Sequence, residues 1–226
     1  MINRGKIFLL CFIILIVAGR VQAVSAEKTE NPFIINKKAK VGFIDNKGKI
    51  AIAPKFNKGA AFSEGLAAVY IDGKWGFIDK TGKVIIKPKY TKASKFSEGL
   101  ARVQRDGKLG FIDKTDKVII KPTYTRAFDF SEGLAAVELG GKWGFIDKTG
   151  KVVIEPTYTK AYKFSEGLVA VELGGKWGFI DKTGKVIIEP KYTKASKFSE
   201  GLAQVQRDDK LGFIDKTGKE IWDNAI

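Results

Sequence analysis

Histidine is absent from the 226 residues, cysteine occurs once at Cys11, and Met1 is the only methionine. Without histidine or a usable cysteine, the commonest general base, the thiolate nucleophile and the usual zinc ligands are gone. Proline is scarce, at six residues. Long apolar runs are missing outside the first twenty residues. There, Ile7 to Val17 is unbroken and follows the positive residues Arg4 and Lys6. Small residues come next, at Ala18, Gly19, Ala23 and Ala26. This is the layout of a secretory signal peptide, and the run falls short of the roughly 20 residues that span a bilayer.

The expected domains are a signal peptide over 1–26, a short linker over 27–32 and a mature β domain over 33–226. Cleavage after Ala26 is the preferred reading and after Ala23 the alternative. Cys11 would leave with the signal, so disulfides, thiol chemistry and lipoprotein attachment drop out. A protein of this kind must hold together by its core alone. The expected location is extracytoplasmic (secreted, cell-surface or periplasmic), with no transmembrane segment after cleavage.

The net charge is +15, and Arg4, Lys6 and Arg20 of the signal carry three of those charges. Nucleic acid is the usual first guess for so basic a chain, and export argues against it. Outside the membrane the available polyanions are envelope polymers, acidic glycans and lipid head groups.

What is present is a repeat. Glycine recurs at 42, 76, 110, 144, 178 and 212, and proline at 54, 88, 122, 156 and 190, always 34 apart. Phe-Ser-Glu-Gly-Leu begins at 62, 96, 130, 164 and 198. No insertion disturbs the register, as expected of units that stack on identical neighbours. A helical-pair repeat of the same period is set aside. The apolar stretches are four to six residues long, rich in Val, Ile, Phe and Trp, and punctuated by Gly and Pro.

Residues 134–156 serve as the type unit. Leu134–Leu139 predicts strand a, Gly140-Gly141 a two-residue hairpin turn, and Lys142–Asp147 strand b. Lys148-Thr149-Gly150 predicts a second turn with Gly150 left-handed, and Lys151–Ile154 predicts strand c. Pro156 is expected to end the sheet. The connector from Tyr158 to Gly167 has apolar residues three apart, which predicts a helical turn or irregular segment.

The expected fold is all-β: six three-stranded antiparallel meanders in an open, curved stack, with a six-bladed β-propeller as the alternative. Units are expected near 33–65, 66–99, 100–133, 134–167, 168–201 and 202–226.

The phrase Lys-Trp-Gly-Phe-Ile-Asp-Lys-Thr-Gly-Lys at 74–83, 142–151 and 176–185, with the downstream Pro and Phe-Ser-Glu-Gly-Leu-Ala, resembles the WG repeat proteins. The resemblance covers about 33 to 222. It implies a bacterial repeat protein and no particular reaction. The strand b phrase is also loosely similar to cell-wall-binding repeats and to blades of some β-propellers. The chain departs from the pattern at Val41, Leu109 and Leu211, which replace Trp, and at Asp116, which replaces the turn glycine.

An active site needs unlike residues converging once, whereas every polar candidate here recurs in one setting. Asp45, Asp79, Asp113, Asp147, Asp181 and Asp215 read as turn residues bonding their own backbone. Glu64, Glu98, Glu132, Glu166 and Glu200 read likewise as turn structure rather than paired catalytic carboxylates or calcium ligands. Trp75, Trp143 and Trp177 could stack on sugar. Leu109 and Leu211 in their place favour packing. A two-residue turn pairs Trp75 with Tyr70, Trp143 with Glu138 and Leu109 with Gln104, and a polar partner implies a face that is not fully dry.

Lysines are the best functional lead. Lys80, Lys114, Lys148 and Lys182 repeat at one turn position, and Lys83, Lys117, Lys151 and Lys185 at another. Stacked units would align them as basic rows whose fields partly add within a Debye length of about 8 Å. Lysine in excess of arginine suits attraction to a diffuse polyanion. The sequence thus predicts a non-enzymatic, cofactor-free binding module. Its partner would be anionic envelope polymer or glycan, held through those lysines with Trp75, Trp143 and Trp177 as aromatic candidates. The alternative is a protein-interaction scaffold using a concave or aromatic face.

Overall fold

The computed structural model describes residues 32–37 and 40–221. The signal segment, most of the linker and Trp222 lie outside the described residues. Six antiparallel sheets follow one another along the chain. The first has three strands, Phe33–Lys37, Lys40–Ile44 and Ile50–Phe56. The other five have four. In the fourth sheet strand a is Leu134–Leu139, strand b Lys142–Asp147 and strand c Val152–Tyr158. A short strand, Arg126–Ala127, pairs with the outer side of strand a. We call it strand d.

Strand d corrects the expectation for the connector. Lys58–Gly59, Lys92–Ser97, Arg126–Ala127, Lys160–Ala161 and Lys194–Ala195 are strands, not helical turns. The three-residue apolar spacing arises because only the start of the connector is extended. It then turns back sharply at Ser-Glu-Gly-Leu. Ser131 and Leu134 exchange backbone hydrogen bonds around Glu132 and Gly133, whose φ values are +55° and +89°.

Strand c also runs further than expected, through Pro156 to Tyr158. Its pairing with strand b jumps from Trp143↔Tyr158 to Phe145↔Ile154. Pro156 therefore sits in a bulge, where its missing N–H costs no ladder bond. Gly144 faces that bulge. A Cβ there would lie 2.5 Å from the Ile154 carbonyl oxygen and 2.7 Å from the Pro156 nitrogen. The recurring glycine is the space into which strand c folds.

The hairpin turns form as expected. Gly140 and Gly141 have φ of +59° and +78°, and Asp72 with Gly73 adopts the same form. At the second turn Asp147 Oδ1 accepts from the N–H groups of Thr149 at 2.8 Å and Lys151 at 3.0 Å. It also accepts from the Thr149 hydroxyl at 2.6 Å. These bonds, the hydroxyl's foremost, hold the Asp147 carboxyl below the ordinary carboxylate range. Asp116 takes the left-handed glycine position at φ +72°. Its carboxylate accepts from Tyr90 of the preceding sheet at 2.6 Å.

Each core cluster belongs to two sheets. Leu134, Ala136, Trp143, Phe145 and Ile154 of the fourth pack against Ala161, Phe164, Val169, Val171 and Ile180 of the fifth. The other face of the fourth sheet, with Ala135, Val137 and Ile146, packs on the third. Phe145 and Phe164 meet edge to face with centroids 5.1 Å apart. The equivalent pair recurs at all five joints, at 4.8–5.1 Å. Burying one such ring stabilises by about 1.5–3 kcal/mol.

The array is open. Phe43, Phe77, Phe111, Phe145 and Phe179 are at most 1% exposed, whereas the equivalent Phe213 of the last sheet is 45% exposed. Among the described residues no further sheet covers it.

Candidate functional site

The expected lysine rows meet different fates. Lys114, Lys148, Lys182 and Lys216 pair with Glu64, Glu98, Glu132 and Glu166 at 2.9–3.2 Å. Each of these glutamates belongs to the preceding sheet. Each also accepts the backbone N–H of the next Ser-Glu-Gly glycine: Gly99, Gly133, Gly167 and Gly201. The lysine and then the glycine N–H hold the Glu166 carboxyl below its ordinary range. These glutamates are turn residues and inter-repeat clamps together. Their lysines are therefore engaged in the stack, which makes them a weaker lead for an outside ligand. Lys80, at the same position one repeat earlier, is exposed. Lys83, Lys117, Lys151 and Lys185 donate backbone N–H groups to the turn aspartates, and their side chains are exposed.

Trp143 and Trp177 are each 6% exposed, while Trp75 is half-buried. The cross-strand pairs are as the turn length predicts: Tyr70–Trp75, Gln104–Leu109, Glu138–Trp143 and Glu172–Trp177. The polar partner has a specific explanation. Buried Glu138 accepts from Arg126 Nε and, at 3.0 Å, from Arg126 Nη2. That guanidinium lies over the Trp143 ring at 5.6 Å. Lys160 holds Glu172 at 3.0 Å and lies over Trp177 at 5.9 Å. Phe128 and Tyr162 cover the same two indoles, with centroids at 5.3 and 5.0 Å. The indoles are thus roofed by a cation and a second ring, and packing is their main role.

A row absent from the sequence reading now stands out, at strand d: Lys58, Lys92, Arg126, Lys160 and Lys194. Two hollows lie beside these d strands. One cavity of about 540 Å³ is lined from the second, third and fourth sheets. Trp75 and Trp143 are among its walls, with Leu109, Ser94, Lys92, Arg102, Gln104 and Arg126 between them. The other, about 520 Å³, lies among Lys160, Tyr162, Glu172, Trp177, Ser196 and Leu211.

Both hollows arise from missing bulk. The third and sixth repeats carry Leu109 with Ser94, and Leu211 with Ser196. The fourth and fifth carry Trp143 with Phe128, and Trp177 with Tyr162. The signal was present in the sequence as linked exchanges at two positions. It became readable only when strand d brought those positions together. No acidic side chain lines the larger hollow. Arg102 pairs with Asp129 at 3.2 Å, and Lys92 is exposed. Aromatic walls, hydroxyls, an amide and cations can hold the apolar face and the charge of an acidic sugar.

No curated protein matches the chain. Among solved structures it is similar to a eukaryotic initiation factor, with TM-score 0.59, 14% identity, and 88% of this chain and 63% of that one covered. BamB from Moraxella catarrhalis gives 0.56 and 14%, over 92% and 73%. Hsv2 from Kluyveromyces lactis gives 0.51 and 10%, over 87% and 76%. The chain spans less than two thirds of the initiation factor's length, and identities this low speak for fold alone. The likeness is to β-propeller-like sheets, so it suits the propeller alternative at the level of the sheet. The family described as WG containing repeat matches five times, at 42–75, 75–108, 110–143, 143–177 and 177–210. These matches cover most of the described residues in the register of the 34-residue period, and the chain belongs to the WG repeat family.

Proposed function

We propose that this chain is an exported, non-enzymatic binding module for anionic envelope polymer or glycan. A repeat β fold of this kind is that of a binding or interaction module. The observation that carries the finer reading is the hollow between Trp75 and Trp143, whose walls hold the exposed Lys92 and the carboxylate-paired Arg102 and Arg126, with no acidic side chain lining it. The exposed rows of Lys83, Lys117, Lys151 and Lys185 draw a polyanion at long range. The hollow then seats one segment of it.

The test is binding of a polyuronate, and of isolated cell envelopes, to the purified mature chain at low and high salt. Retention should fall steeply as salt rises. Leu109→Trp with Ser94→Phe fills the hollow with the residues other repeats carry, and should abolish saturable binding while the chain stays folded. Salt-independent binding would remove the cationic mechanism, and binding by the filled variant would remove the hollow.

A second reading, a protein-interaction scaffold, is favoured by one observation. Tyr162, 41% exposed, lies flat on Trp177 beside the second hollow. Crosslinking in the native envelope should then yield one stoichiometric partner that is lost in Tyr162→Ala.

A further inference from the structure

The two ends of the array are not alike, and each matches what the interior joints bring together. At every joint a forward face meets a rear face. The forward face of the fourth sheet offers Leu134, Ala136, Trp143 and Phe145, and the rear face of the fifth offers Val169, Val171 and Ile180. The last sheet carries the same forward positions, and among the described residues no further sheet covers them. Leu202 is 38% exposed, Leu211 60% and Phe213 45%. The first sheet carries the rear positions, Phe33, Ile35 and Ile44, all only half-buried, whereas their equivalents Ala67, Val69 and Ile78 are fully buried.

We propose that these ends are the two halves of one interface, and that the last sheet of one molecule docks onto the first sheet of a second copy, head to tail. The argument is continuity with a joint the molecule already makes five times. The occupant of a forward face is, in every interior case, a rear face of this same chain.

The rim differs from an interior joint in its polar groups, so the apolar faces carry the match. Glu200 occupies the clamp position of the sixth sheet and stands exposed. In the head-to-tail arrangement it faces the second copy's first turn, where the clamp position holds the exposed Asn46 in place of lysine. Phe33 stands where the following repeats carry Ala67, Ala101 and Ala135, and position 28 holds lysine where they carry the joint phenylalanine. The ring that each interior joint takes from its connector is here supplied from strand a. A head-to-tail contact is heterologous, so repetition generates a chain of molecules or a ring rather than a symmetric pair.

The test uses mature chains with one end blocked. Sedimentation of the parent chain should show concentration-dependent association beyond a dimer. Phe213→Glu blocks the tail at an exposed position, and Ile35→Glu blocks the head; each should be monomeric with an unchanged β circular-dichroism spectrum. Mixed, the two should form a heterodimer and nothing larger, because one free tail meets one free head. Should Ile35→Glu fail to fold, Phe33→Glu, at a half-buried position of the same face, replaces it. A parent chain that stays monomeric at high concentration overturns the proposal. So does a mixture in which blocked ends do not complement, since self-pairing through like ends predicts that result.

Discussion

Glu132 accepts a hydrogen bond from the backbone N–H of Gly167 at 2.9 Å, thirty-five residues further on and one sheet away. It does so from a left-handed backbone, φ +55°, that an ordinary side chain avoids. Strain and clamp are two sides of the same residue, since a glycine would relax the turn and lose the bond.

The two contributions separate by substitution. Glu132→Ala keeps the strain and loses the bond, and should cost about 1–2 kcal/mol in urea unfolding. Glu132→Gly loses the same bond but relieves the backbone, and should recover about 1 kcal/mol of that cost. Equal losses in the two variants would show that the backbone carries no strain.

Gly144→Ala inserts a methyl group against the backbone of strand c, 2.5 Å from the Ile154 carbonyl oxygen. The bulge must open or the strands separate, and a loss of about 1–3 kcal/mol is expected. Gly133→Ala, where open space surrounds the added atom, should instead show only the penalty of its positive φ.

Trp143→Ala should cost about 3–5 kcal/mol, because the ring is buried beneath Phe128 and Arg126. Leu211 holds the same position of the last repeat and is 60% exposed, so Leu211→Ala, measured at dilution where the chain is monomeric, should cost about 0.5 kcal/mol or less. Similar losses at both would mean that the last sheet is covered in solution.

Acid should unfold the array through its turns. Asp79, Asp113, Asp147, Asp181 and Asp215 are each held below the ordinary carboxylate range, first by the hydroxyl of the threonine two residues on. A group lowered on folding adds stability above its unfolded value and loses it as pH falls through the folded one. Tm should therefore be flat from about pH 7 to 5 and fall below about pH 4. Thr149→Val should lower Tm at neutral pH, with the gap to the parent closing in acid. Parallel curves at all pH values would refute the contribution of that hydroxyl.

Much of this was legible in the residues. The period, the strands a and b, both turns and the Tyr70–Trp75 and Glu138–Trp143 pairings follow from local chemistry, in which each residue's neighbours are close in sequence. Strand d was not legible, because two extended residues at Arg126–Ala127 carry no alternation to detect. Pro156 misled for a related reason: proline usually ends a strand, and only the facing Gly144 makes room for a bulge. The double role of Glu132 was hidden because its partners, Gly167 and Lys182, lie in another repeat. The two hollows were hidden for the same reason, since each needs two absent side chains brought together across strands d, a and b.

The repeated joint also governs how such a molecule can change size. A further copy of residues 134–167, spliced in after Gly167, would meet a matching face on either side and a clamp at both borders. A piece one residue longer or shorter would turn every inward side chain outward up to the next turn. Growth and loss are thus confined to whole steps, and the row of strand d cations is a ruler graduated in multiples of a single sheet.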